Sequence, residues 1–155
     1  MDSVDAKTRS LIMARVGQRN TDVELSLRTE LHKLGLRYKL HDRKLPGTPD
    51  LVFPRFSAVV FVNGCFWHFH GCHRSSVPKS RQEFWREKFQ ANLLRDEKNI
   101  HRLMESGWRV LTVWECALKG KTASPVRTIA RRTKAWLLSK ARTGIIQGGD
   151  SSQVR

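Results

Sequence analysis

Acidic residues are scarce in this chain: 14 Asp and Glu stand against 29 Lys and Arg in 155 residues, a formal charge of +15. A small body with that surplus attracts polyanions, of which nucleic acid is the commonest, and the basic residues recur along the chain instead of crowding one tail. A membrane-surface helix would need basic and apolar residues on opposite faces, a pattern that residues 126–140 only half fit. Long apolar runs are missing too. None approaches the roughly eighteen residues of a membrane span, and Met1-Asp2-Ser3-Val4-Asp5 lacks the basic-then-apolar start of a signal peptide. The expected location is the cytoplasm, with no membrane partner. Cysteine is sparse, and three is an odd number. In a reducing compartment this excludes a disulfide framework and leaves metal binding, catalysis or burial. No internal repeat or linker interrupts the chain, and 39% hydrophobic residues with five Trp suffice for one core.

Residues 1–20, polar and basic around Leu11-Ile12-Met13, read as an arm or a short helix lying on a partner. Val23, Leu27, Leu31 and Leu34 have helical spacing, with Thr21 or Asp22 as cap and Gly35 as terminator. Leu36, Tyr38 and Leu40 alternate as a strand, and a turn-rich stretch from His41 to Pro49 leads to Asp50-Leu51-Val52-Phe53. Pro54-Arg55 breaks that strand, which resumes from Ser57 to Val62 as a hairpin partner buried on both faces. Ser80-Arg81-Gln82-Glu83 has the pattern of a capping box before a long helix, with Trp85, Phe89, Leu93, Ile100 and Leu103 as its apolar stripe and Gly107 as its end. Trp108 to Trp114 alternates as a further strand, and Ser124-Pro125 opens a last helix. The pattern is α/β over residues 21–140, and the Gly, Ser and Gln content predicts a flexible tail over 141–155.

Chemistry concentrates in Asn63-Gly64-Cys65-Phe66-Trp67-His68-Phe69-His70-Gly71-Cys72-His73, directly after the central strand. Cys65, His70, Cys72 and Cys116 would give zinc a closed tetrahedron that uses every cysteine, with His73 as the substitute for His70. The alternative is three buried thiols. Such a site is structural, and its effect would be to pin the loop that carries His68.

Three of the few acids sit beside apolar seams: Glu24 on the first helix, Asp50 at the head of a core strand, and Asp96 between Leu93 and Ile100. An unpaired charge there is costly, so each needs a cation, a metal or a donor. For Glu24 and Asp96 an ion pair with Arg and a catalytic role stand as equal alternatives. For Asp50, a carbonyl from the neighbouring strand and a nearby His suggest a hard-metal site with a general base beside it, the parts that phosphodiester hydrolysis needs. Phe66, Trp67 and Phe69 either join the core or wedge between base pairs, as Met13 could from the arm.

Gly47-Thr48-Pro49-Asp50-Leu51-Val52-Phe53, Phe61 to His68, and Gly107 to Cys116 closely resemble the very short patch repair (Vsr) DNA mismatch endonucleases, with likeness from about residue 6 to 139. The resemblance implies a restriction-endonuclease-like fold, a central mixed β-sheet flanked by α-helices with a structural zinc. It also implies a magnesium-dependent nick 5′ of the thymine in a T:G mismatch in double-stranded DNA, which starts repair of deaminated 5-methylcytosine. It makes Asp50 the main magnesium ligand together with the Val62 carbonyl, and His68 the base that activates water. Glu24 and Asp96 then organise water and His68, and Cys65, His70, Cys72 and Cys116 fall on the zinc ligands. Met13, Phe66 and Trp67 fall on wedge residues, Lys88 and Asn92 on residues that read the mismatched pair. Well-known members carry His where this chain has Asn63, and Asn cannot hand a proton to a leaving oxygen, so water held by the metal would have to supply it. Phe61-Val62-Asn63 also replaces the Glu-x-Lys of ordinary restriction enzymes. The expected enzyme is a monomer whose nick is passed to downstream repair proteins. Its rivals are a zinc-stabilised DNA-binding module without catalysis and a restriction-type nuclease that cuts matched DNA.

Overall fold

A computed structural model describes residues 21–66, 68, 70–72 and 77–149. The expected arm with Met13, together with Trp67, Phe69 and His73, lies outside the described residues.

Helix α1 (Asp22–Lys33) starts where Thr21 Oγ1 accepts the Glu24 N–H at 3.3 Å. It ends at Gly35, whose φ of 87° lets the Leu36 N–H reach back to the Leu31 carbonyl. Five strands follow in spatial order as in the chain: β1 (Lys39–Leu40), β2 (Leu51–Phe53), β3 (Ala58–Asn63), β4 (Arg109–Trp114) and β5 (Thr143–Ile146). The pairings β1·β2 and β2·β3 are antiparallel, while β3·β4 and β4·β5 are parallel. Parallel neighbours need crossovers. Helix α2 (Gln82–Glu105) makes the first, and the short α3 (Glu115–Leu118) followed by α4 (Val126–Leu138) makes the second.

Strand alternation sorts the core into two layers. Leu51, Phe53, Val60, Leu111 and Val113 face α1 and α4, meeting Leu27, Leu31, Ile129 and Leu137. Val52, Val59 and Val110 face α2 and meet Leu103. The result is a mixed α/β sheet between helices, as expected. Among the described residues no helix is long and apolar enough to cross a membrane.

Several local expectations are corrected. The flexible tail does not begin at residue 141, because Thr143–Ile146 pairs with β4 and buries Ile146. The capping box at Ser80 is not formed: α2 starts after Arg81, which takes φ 56° and makes no side-chain cap bond. The buried stripe of α2 runs through Phe89, Asn92 and Leu103, whereas Leu93 is exposed. The strand expected over Leu36 to Leu40 shortens to Lys39–Leu40, and the last helix takes Pro125 instead of Ser124 as its cap residue.

Candidate active site and metal centre

The parity of the sheet decides which side chains meet. Asp50 precedes Leu51 and so shares the face of Val52, toward α2, where Phe61 and Asn63 of β3 and Thr112 of β4 also point. Helix α2 roofs this face with Arg95, Asp96, Asn99 and Ile100, and the loop after β3 brings His68 to its rim. Together with His41 and Gly47 to Thr48 they enclose a cavity of about 600 Å³. Asp50 and His68 therefore line one space.

Each acid in it has a specific setting. Asp50 Oδ2 accepts the Val62 N–H at 2.7 Å, which fixes the carboxylate against β3. Burial pushes its pKa up from 3.8 to about 8; the Val62 bond opposes this and the nearby Glu24 charge adds to it. Glu24 is 2% exposed, and its Oε2 accepts from Arg28 at 3.1 Å and lies 2.9 Å from His41 Nε2. Asp96 Oδ2 is bonded to His68 Nδ1. An ionised carboxylate can only accept, so Nδ1 carries the proton and Nε2 is left with the lone pair that a base uses.

His41 was read only as part of a turn. It sits opposite Asp50 in the continued β1·β2 ladder, its backbone N–H donating to the Asp50 carbonyl at 3.1 Å and its own φ at 44°. Glu24, His41 and Asp50 bring ligand-type atoms within 4.8 Å of one another. Arg95 and Asn99 were also not singled out, although Arg95 lies three residues after Asn92 and Asn99 three after Asp96 on the helix.

The second cluster is Cys65, His70, Cys72 and Cys116, whose donor atoms all lie within 4.8 Å of one another. His70 Nδ1 is 3.7 Å from Cys65 Sγ and 3.6 Å from Cys116 Sγ. A zinc tetrahedron with its usual bond lengths has S···N edges of about 3.6 Å. Gln147 Oε1 lies 2.7 Å from His70 Nε2, and as an acceptor it places the proton there and leaves Nδ1 free to ligate. The imidazole also stacks on Trp114 at 4.0 Å, and the Gly148 N–H points at Cys116 Sγ at 3.2 Å. Burial raises the pKa of both Cys65 and Cys116. A cation would reverse this, since bound thiols ionise. This is a Cys/His group of metal-binding geometry.

The residues expected on DNA are less uniform. Lys88 is exposed on α2, while Asn92 is 9% exposed with its Oδ1 accepting from Arg95 at 2.8 Å. Phe66 packs edge-on against Trp85 and Phe89, with ring centroids 5.4 and 5.2 Å away.

The profile of a family described as DNA mismatch endonuclease Vsr matches residues 1–74. The DNA mismatch endonuclease Vsr of Escherichia coli (strain K12) is 43% identical over 136 residues, 88% of this chain and 87% of that protein. The type II nicking enzyme V.XorIIP of Xanthomonas oryzae pv. oryzae is 44% identical over 126 residues, 81% of this chain and 93% of its own. V.NmeAIP, a type II nicking enzyme of Neisseria meningitidis serogroup A, is 39% identical over 120 residues, covering 77% and 86%.

Proposed function

The chain belongs to the Vsr family of DNA mismatch endonucleases, and on that premise we propose that it nicks one strand of duplex DNA on the 5′ side of the thymine in a T:G mismatch, in a restriction-endonuclease-like fold. The observation that carries this reading is the shared cavity: Asp50 and His68 both line it, and Asp96 fixes His68 through Nδ1. His68 Nε2 takes a proton from water as the water oxygen bonds to phosphorus, and the bond to the 3′ oxygen breaks, leaving a 5′-phosphate on the thymidine and a 3′-hydroxyl. The 3′ oxygen takes its proton from water. Asn63 lines the cavity and can donate a hydrogen bond to that oxygen, but no proton.

Two acids side by side, the buried Glu24 and the largely covered Asp50, fit a site that holds positive charge. Asp50 with the Val62 carbonyl would hold magnesium, which when bound neutralises the phosphoryl oxygens. Cys65, His70, Cys72 and Cys116 would hold a structural zinc that pins the His68 loop. Phe66, Trp67 and Met13 are read as wedges at the mismatch, with Lys88 and Asn92 at the mispaired bases. Residues 1–20 are read as a DNA-contacting arm. A mispaired step is cheaper to distort than a matched one, which lets wedging supply part of the selectivity. The charge of +15 supplies affinity for the duplex without regard to sequence.

The test is a labelled duplex with one T:G pair beside its matched counterpart, each with and without magnesium. The reading predicts a single-strand cut at the thymine in the mismatched duplex with magnesium only. Binding without scission would leave the DNA-binding module, and cutting of the matched duplex the restriction-type nuclease.

A further inference from the structure

We propose that His41 is a metal ligand: its imidazole joins Glu24 and Asp50 in one divalent-cation site, which gives the site a nitrogen donor and a preference for manganese over magnesium. The proposal deepens the reading of Asp50 as a metal ligand and rests on it.

The backbone holds the three donors together. His41 and Asp50 face each other across the β1·β2 ladder, one residue beyond the Leu40 and Leu51 pair, so their side chains leave the sheet on the same side. His41 Nε2 lies 3.7 Å from Asp50 Oδ1 and 2.9 Å from Glu24 Oε2. Cis ligands about 2.1 to 2.2 Å from a shared cation stand some 3.0 to 3.6 Å apart, so small shifts bring all three into one coordination sphere. Two further contacts orient the carboxylates. Asp50 Oδ2 is held by the Val62 N–H, so Oδ1 is the oxygen turned to His41. Arg28 bonds Glu24 Oε2 from α1, a fixed charge that balances one acid and leaves the other.

The site is also built as ligand sites are. The side chains of Glu24, His41 and Asp50 are 2%, 11% and 13% exposed, and His41 and Asp50 both line the cavity. His41 takes φ 44°, a left-handed conformation uncommon for a residue with a side chain. Nε2 now hydrogen-bonds Glu24 Oε2, so a cation would take the place of the proton shared between them, leaving the ring proton on Nδ1 and the Nε2 lone pair on the metal. Manganese shares magnesium's liking for oxygen donors but, as a first-row transition metal, accepts a nitrogen donor more readily than the hard magnesium ion, so one imidazole tips the site toward it.

The experiment uses zinc-loaded protein titrated with Mn²⁺, followed by electron paramagnetic resonance and electron spin echo modulation, on the wild type, His41→Gln and Asp50→Asn. Gln keeps a polar group beside Glu24 but no imidazole. The expected result is one site whose echo shows coupling to a directly bound imidazole nitrogen. That coupling should disappear in His41→Gln, with the preference for Mn²⁺ over Mg²⁺ reduced, and binding should be lost in Asp50→Asn. If Mn²⁺ binds and Asp50→Asn abolishes it, but the wild type shows no nitrogen coupling, His41 is not a ligand and the Asp50 site stands without it. If the wild type binds no Mn²⁺, both this proposal and the Asp50 metal site fail. Retained zinc and an unchanged thermal transition in His41→Gln exclude misfolding as the cause of a lost signal.

Discussion

His68 is bonded through Nδ1 to the carboxylate of Asp96, 28 residues further along the chain on helix α2. A loop side chain is thereby held against a rigid element, with Nε2 turned from the partner that fixes it. Asp96→Asn keeps the shape but can present an N–H to Nδ1, favouring the wrong tautomer. It should slow single-turnover nicking by about 10² to 10⁴-fold, with DNA affinity within a few-fold. A rate near the wild-type value would mean that His68 does not depend on Asp96.

The buried Asp50 carboxyl makes stability depend on pH. Its folded pKa of about 8 lies above the ordinary 3.8, so the folded state retains a proton that the unfolded state has released. Below about pH 4 both states hold it and there is no penalty. As pH rises toward 8 the folded state loses ground. Without added magnesium, Asp50→Asn should melt at a higher temperature than wild type at pH 8, and the gap should close near pH 4.5. Thermal denaturation at the two pH values checks this, and magnesium should narrow the gap at pH 8 by restoring the wild type.

The Cys/His cluster reaches the C-terminal strand through Gln147. Elemental analysis should find one zinc in the wild type and none in Cys116→Ser, which should also melt at a lower temperature. Gln147→Ala should retain zinc with affinity weaker by about 10 to 100-fold, since it removes only the partner of His70 Nε2. Competition with a chromogenic chelator measures both, and equal affinities for Gln147→Ala and wild type would remove Gln147 from the account.

Arg109 ties the start of β4 to the end of α4. Its guanidinium donates to the carbonyls of Trp136, Leu137 and Ser139 at 2.8 to 3.1 Å and stacks 4.5 Å over the Trp136 ring. These carbonyls belong to the last turn and the cap of α4, past the reach of further helical N–H donors, though Ser139 N–H and Oγ also bond the Trp136 carbonyl, at 3.0 and 2.6 Å. Lys has neither the planar fork nor the stacking face, so Arg109→Lys should cost about 2 kcal/mol in denaturant unfolding. An unchanged midpoint would show that the fork is not used.

That Asp50 and His68 face one cavity was legible in the sequence, because it depends on period-two alternation and on one short loop after β3. His41 was not. It follows a strand of two residues, and its role comes from a left-handed φ and from ladder register, neither of which a turn-rich composition reveals. Gln147 was hidden likewise, since a polar, Gly-rich segment reads as a tail until Ile146 is seen to be buried against the sheet. Leu93 gave way to Asn92 on the buried stripe because the face of α2 over the cavity is polar, so hydrophobicity misplaced the stripe by one residue. The aromatic Phe66 fell between its two readings, packed on Trp85 and Phe89 yet only half-buried.

The most direct test of the shared Asp50 and His68 site is single-turnover cleavage of a T:G duplex by His68→Ala, with binding of the same duplex measured in parallel. The account predicts that binding stays within a few-fold of wild type while the nick is lost. Cleavage by His68→Ala at the wild-type rate would contradict it.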